Sequence, residues 1–177
     1  MGTAKTEHWI ESALQAMAFW MGYEKELFPS YDLPELALGA EFCRLLRHFA
    51  PKELKIRAEQ NYGELLGIKS NDRADIAIFN KENDNCEYII EIKRNGSHSI
   101  IKKDIQRLQQ TKKKLPNAKQ YSVVFSEKRL KDFVKEDGSA NNQDANGKNY
   151  RVRRVCKAAP SFRSAKNSFY AILIEIL

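Results

Sequence analysis

Two amphipathic patterns open the chain. From residue 6 to residue 22, apolar side chains recur at the spacing of one helical face, and we expect Gly22 to end this helix. The recurring residues are Trp9, Ala13, Ala16, Met17 and Trp20. A second helix is predicted over residues 34–50, between Pro34 and Pro51. Its apolar face consists of Leu38, Phe42, Leu45, Leu46 and Phe49.

Three strands are predicted next, over residues 55–62, 73–79 and 87–93. The turns between them, residues 69–72 and 80–85, are rich in Asn, Asp and Ser, as hairpin connections are. A long helix is expected over residues 99–115, with Ile101, Ile105 and Leu108 facing inward. A buried strand over residues 120–126 and a short helix over residues 128–135 follow.

The last part of the chain changes character. Residues 136–149 contain almost no apolar side chains and are expected to form a mobile loop. Two strands, residues 150–156 and 169–176, complete the order α-α-β-β-β-α-β-α-β-β. This order predicts an α/β fold, with a mixed sheet that carries helices on its faces.

The composition fits one globular domain. The chain has 177 residues, of which 42% are hydrophobic and 30% charged. Within residues 1–177 we expect an N-terminal helix at 6–22, a core at 34–126, and C-terminal strands with their loop at 127–177. The longest late apolar run, residues 169–174, is far shorter than the roughly 20 residues of a membrane span. No secretory signal is recognised, and three widely spaced cysteines favour the reducing cytoplasm.

Charge is divided unevenly along the chain. Residues 1–93 carry 11 Lys and Arg against 16 Asp and Glu, whereas residues 94–177 carry 19 against 7. The net charge is +7, and the basic half suits a polyanion such as DNA. The alternative is a soluble surface with uneven charge.

Three residues stand out at the ends of apolar strands. Glu91 and Lys93 alternate with isoleucines, so both point to one face of the third strand. Asp75 is an acid at the polar end of the preceding strand, and a hairpin would bring it near Glu91. Two adjacent carboxylates repel each other unless a proton or cation lies between them. Hard oxygen ligands with open positions suit Mg²⁺ or Mn²⁺.

The order Asp75, a gap of 15 residues, then Glu91-Ile92-Lys93 and a long helix resembles the PD-(D/E)xK nuclease superfamily. The resemblance covers about residues 35–126, and Ala74 replaces the proline that often precedes the first acid. It implies a restriction endonuclease-like αβββαβ core. Asp75, Glu91 and the Ile92 carbonyl would then bind the metal, and Lys93 would stabilise charge on the phosphate or act on the attacking water.

The resemblance also suggests two helical residues near the metal. Glu41, on the helix before the first strand, would be a further catalytic acid, and Gln106 would face the site from the long helix. In both cases the alternative is an exposed helical side chain.

Basic residues later in the chain are expected to contact DNA. One group is Lys112, Lys113 and Lys114, and the other is Arg151, Arg153 and Arg154 on a late strand. The alternatives are a solvated helix face for the lysines and an edge strand protected by charge for the arginines.

The sequence therefore predicts a magnesium-dependent DNA endonuclease, with restriction or phage defence as the first biological role. A resolvase-like repair or recombination nuclease is the alternative role. Two other possibilities are a nucleic-acid-binding module that does not cleave, and an unrelated α/β protein whose three residues are separate surface charges. Cleavage of both strands would need a homodimer, for which the N-terminal helix is the candidate interface.

Overall fold

The computed structural model describes residues 7–28, 30, 32–67, 69–142, 149–158 and 168–177. Four helices lie within these ranges: α1 (His8–Leu27), α2 (Glu35–Phe49), α3 (Tyr62–Leu66) and α4 (His98–Lys114). The six strands are β1 (Leu54–Asn61), β2 (Arg73–Asn80), β3 (Cys86–Arg94), β4 (Lys119–Ser126), β5 (Tyr150–Lys157) and β6 (Tyr170–Ile176).

All six strands belong to one mixed sheet in the order β1-β2-β3-β4-β6-β5. Strands β1, β2 and β3 form an antiparallel meander, and β4 pairs parallel to β3 after the crossover through α4. Strand β6 then pairs antiparallel with both β4 and β5, which leaves β1 and β5 at the edges. The predicted α/β class, with a mixed sheet flanked by helices, is confirmed.

The helices cover opposite faces of the sheet. Helices α1 and α2 pack on one face, where Phe42, Ile90 and Phe125 are fully or almost fully buried. Helices α3 and α4 pack on the other face, around Ile105 and Leu108. Alternation along β3 places Ile90 and Ile92 toward α1 and α2, and therefore Glu91 toward α4. Through this alternation the charged residue Glu91 comes to lie between the sheet and α4.

Two local predictions were wrong. Helix α1 continues through Gly22, which is buried inside it, and ends at Leu27. Packing against the sheet offsets the roughly 1 kcal/mol by which glycine disfavours a helix interior. Residues 128–135 form turns instead of a helix, because Val134 bridges back to Ala140. This bridge also gives structure to the start of the predicted mobile loop, whose residues 143–148 lie outside the described residues.

The short helix α3 was not predicted. The Asn61 side chain accepts a hydrogen bond from Glu64 N at 3.2 Å, which caps the first turn. Gly67 ends the helix with a left-handed φ of 62°. Helix α3 consequently holds Tyr62 against the end of β3, where the candidate site lies.

No helix within the described residues is long and apolar enough to cross a membrane.

Candidate functional site

Strands β2 and β3 separate at the candidate site. Their last paired residues are Ile76 and Ile90, and one more step of this antiparallel register brings Asp75 opposite Glu91. Beyond this point β2 stays with β1 as far as Arg73, whereas β3 stays with β4 as far as Arg94. The separation leaves an opening in the sheet, bordered by Asp75 on one side and by β3 on the other.

Asp75 replaces the missing rung of the ladder with its side chain. Its Oδ2 accepts a hydrogen bond from the backbone N of Ile92 at 2.6 Å. Within a strand, the N–H and C=O of one residue point to the same edge. The Ile92 carbonyl therefore lies on the edge of β3 that faces Asp75, as the predicted third oxygen ligand would have to.

Glu91 is held by two donors inside the protein. The Tyr62 hydroxyl donates to Oε1 at 2.7 Å and the Arg107 guanidinium donates to Oε2 at 2.6 Å. The side chain is only 1% exposed. Burial, followed by the nearby charge of Asp75, raises the pKa of Glu91 to about 8, against the opposing effects of Arg107 and Tyr62. The positive charge around Glu91 is therefore too small to offset its burial and the repulsion from Asp75.

Lys93 lies among acids at the same end of β3. Its Nζ is 3.4 Å from Glu35 Oε1 and 3.9 Å from Asp104 Oδ2. Burial lowers its pKa, but the charges of Asp104, Glu35 and Asp75 outweigh burial and raise the pKa above its usual value. Lys93 consequently carries its positive charge at neutral pH.

The site has more acids than bases. Its four carboxylates are Glu35, Asp75, Glu91 and Asp104, and its two cations are Lys93 and Arg107. In addition, Asp104 Oδ2 is buried and has no hydrogen-bond partner among the described residues. Burying uncompensated carboxylates is costly. With all four acids ionised the site carries an excess of two negative charges, which a divalent cation would offset. Without a cation, the raised pKa of Glu91 favours its protonated form.

The available donors fit a hard cation. Two carboxylates and one backbone carbonyl are oxygen ligands of the kind that Mg²⁺ binds together with several waters. The described residues contain no cluster of three or more His, Cys, Asp or Glu side chains arranged to hold an ion. A site of the proposed kind draws on only two acidic side chains.

The acid of α2 that lies beside the site is Glu35, whereas the sequence prediction chose Glu41. Glu35 accepts hydrogen bonds from Arg94 N at 3.0 Å and from Lys93 Nζ. Glu41 lies six residues further along α2, about 9 Å along its axis, and both of its oxygens bind Arg44. The structure does not bring Glu41 together with Asp75, Glu91 and Lys93.

Helix α4 contributes Asp104 and Arg107 to the site, while Gln106 is exposed. Asp104 and Arg107 are three residues apart, on neighbouring turns of one face, and their side chains lie 3.5 Å apart. Both border the apolar stripe of Ile101, Ile105 and Leu108, so their position beside the sheet could have been recognised from the sequence. Tyr62 could have been found through Asn61 and Glu64, which have the spacing of a capping box.

The three lysines at the end of α4 are not equivalent. Lys112 donates a hydrogen bond to the Ile176 carbonyl at 3.1 Å and is half-buried. Lys113 and Lys114 are exposed and line a cleft between α3 and α4. Of the three, only Lys113 and Lys114 have ammonium groups without a partner within the described ranges, as the predicted DNA contact requires.

Two of the three arginines that were predicted as a cationic row on β5 are paired with acids within the protein. A bulge between Val152 and Arg154 shifts the alternation, so that Arg154 lies on the α1 side of the sheet together with Arg151 and Arg153. Arg151 pairs with Glu175 at 2.7 Å, and Arg153 pairs with Glu7 at 3.0 Å. Arg154 remains exposed on an edge strand, in accord with the alternative of an edge protected by charge.

The geometry of these residues carries the functional argument alone. Searches of protein-family models, of curated proteins and of solved structures returned no significant match to this chain.

Proposed function

We propose that this protein is a metal-dependent DNA endonuclease that hydrolyses phosphodiester bonds. The observation that carries the proposal is the meeting of Asp75, Glu91 and Lys93 where β2 and β3 separate. The charge of Asp75 acts on both Glu91 and Lys93, which places the three residues in one electrostatic cluster. If the three residues were accidental surface charges, Asp75 and Lys93 would be separated and solvent-exposed. Both are instead partly buried, and the charge of Asp75 acts on Lys93.

The path of the chain around the site supports the resemblance to PD-(D/E)xK nucleases. Helix α2, the meander β1-β2-β3, helix α4 and the parallel strand β4 occur in the αβββαβ order which that resemblance implies. The acids lie on β2 and β3, the two strands that the motif requires. We therefore propose a restriction endonuclease-like core over about residues 35–126.

Asp75, Glu91 and the Ile92 carbonyl would hold Mg²⁺, or Mn²⁺ in its place. When bound, the ion supplies polarisation of the phosphate and a more acidic water. Asp75 has a second task, because its hydrogen bond to Ile92 N fixes the edge of β3 that presents the carbonyl. Tyr62 and Arg107 orient Glu91 by binding one oxygen each.

Lys93 would stabilise the negative charge that develops on the phosphate during attack. A lysine whose pKa is raised is a poor general base at neutral pH, since it holds its proton. The ammonium group is anchored by Glu35 and Asp104, which limits its movement. Preorganised charge of this kind acts on the transition state without further reorganisation.

Restriction or phage defence is the biological role that we propose first, and a resolvase-like repair or recombination nuclease is the alternative. A non-cleaving DNA-binding module is disfavoured, because the two acids and the lysine are all present and lie together. We propose the cytoplasm as location, since Cys43, Cys86 and Cys156 are free thiols.

Cutting both strands of a duplex would require two copies of the site, so we also propose a homodimer. Helix α1 exposes Phe19, Tyr23 and Leu27 at intervals of four residues on one face. An exposed apolar stripe of this kind suits a protein interface.

A cleavage panel tests the nuclease proposal. The purified protein is incubated with supercoiled plasmid, linear duplex, single-stranded DNA and a four-way junction, in Mg²⁺, Mn²⁺ or EDTA. We expect cutting with either metal and none in EDTA, and the substrate cut fastest identifies the class. An Asp75→Asn preparation, purified in parallel, controls for contaminating nucleases. Failure to cut any of these substrates would overturn the proposal.

A further inference from the structure

The cleft between α3 and α4, which Lys113 and Lys114 line, adjoins Glu91. It has a volume of about 400 Å³, within the usual range for ligand clefts. Tyr62 and Arg107 form part of its wall, and both also donate hydrogen bonds to Glu91. The cleft therefore lies one side chain away from a residue that we propose as a metal ligand.

The charge of this cleft suits an anion. Arg107, Lys113 and Lys114 line it together with a single acid, Asp72. Among the described residues, Lys113 and Lys114 are exposed and have no ion pair, and Arg107 lines the cleft beside them. Free ammonium groups donate hydrogen bonds to phosphate oxygens and attract their negative charge.

The cleft on the other side of the site has the opposite charge. It lies between α2 and the ends of β1 and β2, and it is lined by Glu35, Glu59 and Asp75 among apolar residues, with no basic side chain from the part of the chain that the structure describes. A DNA strand that crosses the site meets repulsion on this side and attraction on the other. The opposite charges of the two clefts therefore favour a DNA strand on the α3 and α4 side of the site.

We propose that the cleft between α3 and α4 binds the phosphate backbone of the DNA strand beside the bond that is cut. This inference rests on the proposed nuclease function and names the surface that holds its substrate. Lys113 and Lys114 contact phosphates. Arg107 lines the same cleft and binds Glu91, so it links the phosphate-binding surface to the proposed metal ligand. The competing explanation for the lysines is that they only complement the negative C-terminal end of the α4 dipole.

Metal-free DNA binding tests the cleft separately from catalysis. The affinity for a fluorescein-labelled duplex is measured by anisotropy in EDTA, at salt concentrations from about 50 to 200 mM. The test variant is Lys113→Gln with Lys114→Gln. The matched control is Lys102→Gln with Lys103→Gln, which removes the same charge from exposed lysines at the other end of α4.

We expect the test pair to weaken binding about tenfold or more and to reduce the salt dependence by nearly two phosphate contacts. The control pair should change the affinity much less. Lys113→Arg with Lys114→Arg keeps the charges and should restore binding, and thermal unfolding of each variant shows whether α4 has been weakened.

Equal losses in the test and control pairs would overturn the inference, since they would reflect general charge alone. So would unchanged DNA binding accompanied by a lower melting temperature, which is the outcome that the helix-dipole explanation predicts. If the wild type binds DNA through this cleft and cuts no substrate, the inference stands and the nuclease proposal fails. If the wild type cuts DNA while the test pair binds normally, the reverse holds.

Discussion

The Oδ2 atom of Asp75 lies 2.6 Å from the backbone N of Ile92 and accepts a hydrogen bond from it. The Asp75 side chain therefore replaces a backbone hydrogen bond of the β2–β3 ladder at the place where the two strands separate. It also sets the edge on which the Ile92 carbonyl lies, and it places a carboxylate opposite Glu91. The structural and the proposed chemical roles of Asp75 can be separated by substitution.

Asp75→Ala should destabilise the protein more than Asp75→Asn. Alanine leaves the Ile92 N–H without an acceptor, at an expected cost of about 1–3 kcal/mol in the free energy of unfolding. Asparagine keeps an acceptor oxygen and should cost less, although it removes the charge that the metal needs. Denaturant unfolding and hydrogen exchange at the Ile92 amide measure the difference. Equal stabilities for the two variants would mean that this hydrogen bond contributes nothing.

The stability of the metal-free protein should fall as the pH rises. Burial and Asp75 raise the pKa of Glu91 to about 8, above the ordinary value of 4.5, so the folded state prefers the protonated acid. This contribution is complete below about pH 4.5 and is lost as the pH rises through about 8. We expect a loss of roughly 2–4 kcal/mol from this group, measured by urea unfolding in EDTA.

Glu91→Gln is the matched variant for this pH dependence. The amide cannot ionise, so its unfolding free energy should vary less between pH 5 and about 8.5 than that of the wild type. Mg²⁺ should restore stability to the wild type at high pH, because it binds the ionised acid. Parallel pH profiles for the two proteins would rule out Glu91 as the titrating group.

The two acids of α2 should differ in their importance. Glu35→Gln keeps an acceptor oxygen for Arg94 N but removes the negative partner of Lys93, so we expect cleavage to slow by about tenfold or more. Glu41→Gln breaks only a surface ion pair with Arg44, which contributes little to stability, and should leave the rate unchanged. Single-turnover cleavage rates decide this. A slower Glu41→Gln enzyme with a normal Glu35→Gln enzyme would reverse the assignment.

The exposed stripe on α1 should mediate self-association. Sedimentation velocity of the wild type is expected to give a dimer, and Phe19→Ser with Tyr23→Ser should give a monomer, because two large apolar side chains leave the interface. Phe49→Ser is the control, since Phe49 is also partly exposed but lies on α2. A monomeric wild type at every protein concentration would contradict the homodimer.

Much of the fold follows from local patterns in the sequence. Alternation identified β2 and β3, and a repeat of 3.6 residues identified α2 and α4, because burial of one face imposes these periods. Gly22 misled the prediction, since the tertiary contacts of α1 outweigh a weak local preference. The bulge in β5 could not be foreseen, because a bulge depends on the partner strand and not on the sequence of β5 alone.

The site was predictable only in part, for a related reason. Asp75, Glu91 and Lys93 follow from strand alternation and a hairpin. Glu35 is 58 residues from Lys93 in sequence, and their contact depends on how α2 crosses the end of β3. Such a contact has no local signal. Arg107 is closer in sequence, but its orientation toward Glu91 depends on which face of α4 packs toward the site. The prediction placed Gln106 on that face.

Cleavage of supercoiled plasmid in Mg²⁺ by matched variants tests the central claim most directly. The wild type should nick or linearise the plasmid, and EDTA should abolish this activity. Asp75→Asn, Glu91→Gln and Lys93→Met should each lose about 100-fold or more in rate, while Lys103→Gln keeps the wild-type rate. A wild type that leaves the plasmid intact, or variants that cut it as fast as the wild type, would contradict the claim that these three residues form a nuclease site.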